Sequence, residues 1–463
     1  MIENLLHKAD VFIQENEDAL FADIKRVVDI DSVQTEGKPG MPSGEGVAKA
    51  LDTALEMARG FGLETKSVGG YMGVADLKGK SGKQIAVIAH LDVVPAGNGW
   101  NSDPFCMIEK DGYIIGRGTA DDKGPAVVAM YAAKFLREQG VQLPYTLRLL
   151  FGTSEETGME DVDHYLASEP QPAFCFTPDG EFPVGYGEKG GYGGKLISPK
   201  FDGNLVDFRG GVATNAVPDR AYAIVKADLA KLPAAERIEL SAEGEGLVRV
   251  TGHGISGHAA MPEGTINAIG LVAGYLLDHS LVTPEEAKYL EMQRCLLSVT
   301  DGSTAGIAAA DEVFTPLTCV GGTVAMEDGV ITQTLDIRYP TSITPDEMRS
   351  GLDALAARGG AVFEPGAQRT PFYIEPTSPA IRTLIDTYNE VTGKNEKPFT
   401  MGGGTYARHF DCAVSFGMEE PKEPVPDFVG PMHGANEGVS KALVLRSLKI
   451  YIVALARLME LEL

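Results

Sequence analysis

Residues 84–92 read QIAVIAHLD. The run from Ile85 to Ala89 is short and continuously apolar, the pattern of a strand buried on both faces. It ends in His90, Leu91 and Asp92. An imidazole and a carboxylate at a buried strand end are unfavourable unless something compensates them. In extended chain, residues i and i+2 point to the same side, so His90 and Asp92 share a face. A metal ion suits that pair, with His90 as ligand through one ring nitrogen and Asp92 holding the ring from behind. Taken alone, the tripeptide also reads as a solvated strand end. Other segments decide between the two.

Around this strand, helices and strands alternate. Residues 3–28 and 43–60 have helical apolar spacing, the second with Ser43 as N-cap and Gly60 near its stop. Short strands are predicted near 63–67 and 72–77. Downstream, 107–109 and 113–115 flank Asp111-Gly112, a hairpin turn. A helix over 125–139, a strand over 145–151, a short helix over 159–168 and a strand over 173–177 follow. This alternation indicates an α/β layer architecture. From 185 the character changes to Gly-rich alternating segments, with helices near 263–280 and 344–358 and strands near 247–252 and 331–338. The α/β pattern returns with a helix from 378, a Gly-rich loop at 402–404 and a helix over 437–460. The expected organisation is a catalytic domain made of residues 1–184 and 377–463, with a mixed central sheet flanked by helices. Residues 185–376 form an inserted α+β domain.

A chain of 463 residues can hold several domains and a full core. The net charge of −25 argues against nucleic acid or an anionic membrane as partner. Five Cys, an odd number without a CxxC pair, argue against a thiolate zinc site and point to a reducing, cytoplasmic setting. The N-terminal stretch lacks a signal-peptide pattern, and no run reaches the ~18 apolar residues of a membrane span.

Acidic or His residues recur where strands are predicted to end: His90 and Asp92, Asp121 and Asp122, Glu155 and Glu156, and Asp179, with His433 in the loop PMHGANE. Ligand sites in open α/β sheets lie outside the carboxyl ends of the strands. A carboxylate-rich set with His and no Cys suits Zn2+, Mn2+ or Co2+. The set is too large for one tetrahedral ion. It suits two ions about 3.5–4 Å apart sharing a carboxylate.

HLD, GRGTADDKG, TSEETG, TPDG and MHGANE, in this order and spacing, resemble the di-zinc metallopeptidases related to aminoacylase and glutamate carboxypeptidase, peptidase family M20. The resemblance covers nearly the whole chain. It implies a zinc-peptidase-like catalytic domain with an inserted lid domain. It also implies that Asp121 bridges two divalent ions, with His90 and Asp179 on one and Glu156 and His433 on the other. Glu155 would be the general base and acid, and Asp92 would orient His90. The bond between Asp121 and Asp122 would be cis. In the insert, GHGISGHAAMPEG is similar to the family's lid motif, which puts His258 on the substrate. ATNAVPDR places Asn215 there, and DIRYP offers Arg338 to a substrate carboxylate. GGGTYAR matches the loop beside the substrate backbone, through Gly403, Gly404 and Thr405. The long insert is similar to those that let a single chain complete its own site, so a monomer is expected.

The implied activity is a metal-dependent dipeptidase acting on small peptides with a free C-terminal carboxylate. An N-acyl-amino-acid deacylase or a tripeptidase shares the same core, and a non-catalytic metal- or peptide-binding protein is the alternative of another class. His7, His164, His253 and His279 read as surface or packing residues, Asp122 and Lys123 as turn formers, and Trp100 as loop packing.

Overall fold

The strand Gln84–His90 is buried along its whole length. It lies between two parallel neighbours, Thr146–Gly152 and Phe174–Thr177, both equally buried. Burial on both faces explains why none of the three alternates in polarity. The sheet extends on one side through Met72–Leu77 to Glu64–Val68, both antiparallel, and on the other to Ala413–Ser415, which is parallel. The central sheet is therefore mixed. The computed structural model describes residues 2–463.

By internal contacts the chain divides into two units. The first comprises residues 1–186, Tyr373–Phe399 and Gly404–Leu463, and the second Gly187–Phe372 with Thr400–Gly403. The sequence expectation put everything after 377 with the catalytic part, whereas Thr400–Gly403 belongs to the second unit. The reason is local bonding. The Lys189 N–H donates to the Met401 carbonyl at 2.9 Å, and Thr400 Oγ1 donates to the Val313 carbonyl at 2.8 Å.

In the first unit, the helices Leu5–Val28, Lys123–Glu138, Pro379–Thr392 and Lys441–Leu458 pack on one another and on the sheet to form one apolar core. The helix Glu45–Gly60 lies against Glu64–Val68 and Met72–Leu77. Ser43 does not cap it, since Gly44 occupies that position. The buried Ser43 hydroxyl instead donates to Thr153 Oγ1 at 3.2 Å. The predicted 437–460 helix starts later, at Lys441. Gly438–Ser440 first pairs with Tyr113–Ile115, and Ser440 then caps the helix through Leu443 N. The turn at Asp111 and Gly112 has both residues at positive φ, as its sequence predicts.

The second unit is an eight-stranded antiparallel sheet. The helices Ala268–Asp278, Pro284–Leu297 and Pro345–Arg358 share its apolar core. The helix predicted from 263 begins at Ala268, where Asn267 accepts from Ile269 N. The helix Pro284–Leu297 is absent from the sequence prediction although TPEE announces it. Thr283 and Glu286 form a capping box, worth about 0.5–2 kcal/mol for the cap alone.

Candidate metal centre

Three parallel strands end together and each delivers a polar residue. His90 closes Gln84–His90. The turn Glu155–Thr157 follows Thr146–Gly152, and Asp179 follows Phe174–Thr177. Asp121 arrives from the segment before the helix Lys123–Glu138, and His433 from a loop where it takes a φ of 60°. The Asp121 carboxylate divides between two imidazoles. Its Oδ1 lies 2.8 Å from His90 Nε2, and its Oδ2 lies 2.8 Å from His433 Nε2. His433 Nε2 is also 3.1 Å from Glu156 Oε1. His90, Glu155 and Asp179 have potential ligand atoms within 4.8 Å of one another, as do His90, Asp121 and Glu156. The second group joins Glu156 to His90, whereas the resemblance pairs Glu156 with His433. At 3.1 Å, Glu156 reaches His433 as well.

The neighbours of these residues fix their orientation. His90 Nδ1 lies 2.9 Å from the Asp92 carbonyl oxygen, and the Asp92 carboxylate is farther, at 3.5 Å. A carbonyl only accepts, so Nδ1 carries the hydrogen and Nε2 is left as the ligand atom. The Asp92 carboxylate has another task. Its two oxygens accept the peptide N–H groups of Glu155 and Glu156, at 3.2 and 3.1 Å. Asp122 accepts the His90 peptide N–H at 3.1 Å, and the Asp121–Asp122 bond is cis, as the resemblance implies. The fully buried Lys123 ammonium donates to the Ile30 carbonyl at 2.6 Å.

Charge at the site is unbalanced. Burial, then the Asp179 charge, push the Glu155 carboxyl well above its usual range. Burial and Asp121 push Asp179 up to about 7. Burial, with Asp121 and Asp179, takes Glu419 to about 8. Hydrogen bonds to Asp121 and Glu156 raise His433 to about 11. Burial opposes protonation of His90, but Asp121 and Asp92 outweigh it and raise its pKa. Burial also works against the Asp121 carboxylate, yet His433 and His90 hold it well below the usual range. Burial drives the Glu155, Asp179 and Glu419 carboxyls toward neutrality, their mutual repulsion adds to it, and nearby carboxylates draw the two imidazoles toward charge. This donor set fits divalent cations.

The remaining sequence candidates lie mostly in the second unit. His258 is exposed and pairs with Ala216, while the Ala259 N–H donates to the Asn215 carbonyl at 2.8 Å, so Asn215 and His258 are neighbours. Arg338 is already engaged. Its Nε and Nη2 donate to the two Asp336 oxygens at 2.6 and 3.0 Å, and its Nη1 to the Gly402 carbonyl at 3.2 Å. Its fork, which the sequence reading offers to a substrate carboxylate, here holds Asp336. Gly403 falls in the second unit, and Gly404 and Thr405 in the first. Thr405 Oγ1 caps the turn Tyr406–His409 through Ala407 N. Trp100 packs in its loop, Nε1 donating to the Ala96 carbonyl at 2.7 Å.

Several residues escaped the sequence reading. Asp161 is fully buried and accepts from Thr153 N, Ser154 N and the Tyr406 hydroxyl, which braces the turn carrying Glu155. Glu437 and Arg117 form a buried ion pair at 2.6 Å. The motifs GRGTADDKG and MHGANE each contain a charge left without a task, Arg117 and Glu437, although neither motif tells that the two meet.

The model of peptidase family M20/M25/M40 matches residues 86–461. A putative dipeptidase of Staphylococcus saprophyticus is 31% identical over 476 residues, covering 96% of this chain and 98% of that protein. A putative dipeptidase of Staphylococcus aureus is 30% identical over 474 residues, covering 96% and 97%. Among solved structures, the dipeptidase Dug1p from Saccharomyces cerevisiae has a similar fold, with a TM-score of 0.61 at 14% identity over 99% of both chains.

Proposed function

The chain belongs to peptidase family M20/M25/M40, and on that premise we propose that it is a metal-dependent dipeptidase. The observation that carries this reading is the Asp121 carboxylate, whose two oxygens face two different imidazoles at 2.8 Å each. That is the disposition of a carboxylate shared by two ions. His90 and Asp179 would hold one, and Glu156 and His433 the other. Two divalent ions, Zn2+ or in its place Mn2+ or Co2+, would supply positive charge to the scissile carbonyl and acidify the attacking water.

The residues of the chain do the rest. Glu155, held by its peptide N–H, would take a proton from the water and deliver it to the leaving amine. His258 would donate to the developing oxyanion. Asn215, Gly403, Gly404 and Thr405 would position the peptide backbone. Arg338, tethered by Asp336, would meet the free carboxylate with the N–H groups that Asp336 and Gly402 leave over. Because the insert is long, one chain would supply its own His258 and act as a monomer. Among the described residues no helix is long and apolar enough to cross a membrane.

The test is hydrolysis of a dipeptide panel, with and without chelator, beside N-acetyl amino acids and tripeptides. Dipeptide cleavage that a chelator abolishes and Zn2+, Mn2+ or Co2+ restores is expected. Undiminished turnover in protein shown to be metal-free by elemental analysis refutes the mechanism, and a preference for N-acetyl substrates makes the enzyme a deacylase.

A further inference from the structure

Glu437 is fully buried, yet no step of the proposed chemistry uses it. Its Oε1 accepts three peptide N–H groups, from Gly118 at 3.0 Å, Ala120 at 3.1 Å and Asp121 at 3.2 Å. Its Oε2 takes Arg117 Nη1 at 2.6 Å. Arg117 is as deeply buried, and its Nη2 fans out to the carbonyls of Ala96 at 3.2 Å, His433 at 3.3 Å and Pro95 at 3.4 Å. The Glu437 carbonyl in turn accepts from Gly116 N at 2.9 Å and Thr119 Oγ1 at 3.3 Å. One ion pair thus grips the turn that presents Asp121 and the loop that presents His433.

We propose that Glu437 and Arg117 are positioning residues that set Asp121 and His433 relative to each other, so that the two ion positions are filled as a coupled pair. The inference rests on the metal-dependent reading above. A buried ion pair is weak evidence for stability as such, since apolar replacements often hold a fold equally well. An apolar pair, however, offers no acceptor to three converging N–H groups and no donor to the His433 carbonyl. The buried pair Arg148–Asp76 is a useful contrast. It joins the neighbouring strands Thr146–Gly152 and Met72–Leu77 and touches no candidate ligand.

The loop of Trp100 belongs to the same device. Its ring centre lies 5.3 Å from the Arg117 guanidinium carbon, and its Nε1 shares the Ala96 carbonyl with Arg117. Asn436, beside Glu437, accepts from Asn101 N at 2.8 Å. Trp100 is the only tryptophan, so its emission reports on the brace without ambiguity.

The experiment titrates the chelated full-length protein with Co2+, following the visible absorption of the bound ion and Trp100 emission, in the unmodified protein and in Glu437→Gln, Arg117→Lys and Arg148→Lys. The unmodified protein is expected to take up two ions with a change in Trp100 emission. Glu437→Gln and Arg117→Lys should keep the native circular dichroism but bind Co2+ at least about tenfold more weakly at both positions, with an altered absorption spectrum. Arg148→Lys should lower Tm and leave Co2+ affinity unchanged. If the unmodified protein binds no Co2+, the metal-dependent reading fails. If it binds two ions and the folded Arg117 or Glu437 variants bind them equally tightly, only the brace is refuted. Should both variants fail to fold, Trp100 emission that stays constant while the unmodified protein fills with Co2+ refutes it as well.

Discussion

Asp92 holds Glu155 by its backbone: the Asp92 carboxylate accepts the Glu155 peptide N–H at 3.2 Å, and its second oxygen accepts that of Glu156 at 3.1 Å. Two adjacent glutamates are thereby fixed by one anchor, and on the proposed reading their side chains take separate tasks. Glu155→Gln is expected to abolish turnover with both ions retained, and Glu156→Ala to lose one ion. Asp92→Asn, which sets an amide N–H2 against one of the two peptide N–H groups, should lower kcat about 10–100-fold. Elemental analysis of the three variants beside their kinetics is the check. Equal metal loss in the Glu155 and Glu156 variants would overturn the division of labour.

Proton balance gives a second prediction. In the ion-free protein Asp179 holds a proton up to about pH 7 and His433 up to about pH 11. A divalent ion must displace both, so uptake releases protons and affinity rises with pH. Titration calorimetry in buffers of different ionisation enthalpy should show net release at pH 7, and uptake of protons would contradict it. The stability of the chelated protein follows the same groups. Both pKa values are raised on folding, so the native state binds more protons and each contribution is full below the unfolded pKa. It fades from about 3.8 to 7 for Asp179 and from about 6.5 to 11 for His433. The Tm of chelated protein should therefore fall from pH 5 to pH 8.

Gly417 lies against the backbone on both sides of Asp179. A Cβ there would collide with the Gly180 carbonyl and lie 2.7 Å from the Pro178 carbonyl oxygen. Both are backbone atoms, which cannot swing aside as a side chain would. Gly417→Ala is expected to destabilise the protein by about 1–3 kcal/mol and to weaken binding of the ion that His90 and Asp179 would hold. Urea melts and Co2+ titration check it, and wild-type values in both would refute it.

The single-chain arrangement is tested by mixing. His258→Ala should lower kcat strongly at full metal content. A mixture of His258→Ala and Glu155→Gln proteins should stay inactive, because each chain lacks one of its own groups. Recovery of activity in the mixture would show His258 acting on a partner chain.

The buried strand Gln84–His90, its two parallel neighbours and the acidic ends of all three were legible in the sequence. Continuous apolar runs have no other stable use in a short segment, and burial makes the polar residue that ends each one conspicuous. The polar ends and the loop PMHGANE gave the candidates His90, Asp121, Glu155, Glu156, Asp179 and His433, and the motif order added the family and the role it implies for each. Some local features were in the sequence but went unread, as with the capping box at Thr283 and Glu286. What the sequence alone could not decide were pairings between distant segments. Nothing local in GRGTADDKG or MHGANE states that Arg117 meets Glu437, or that Asp161 meets Tyr406. Nor does DIRYP reveal that the Arg338 fork closes on Asp336. The charge and the motif are properties of the chain, but a hydrogen bond needs distance and direction, and for residues far apart in sequence only the folded backbone supplies them.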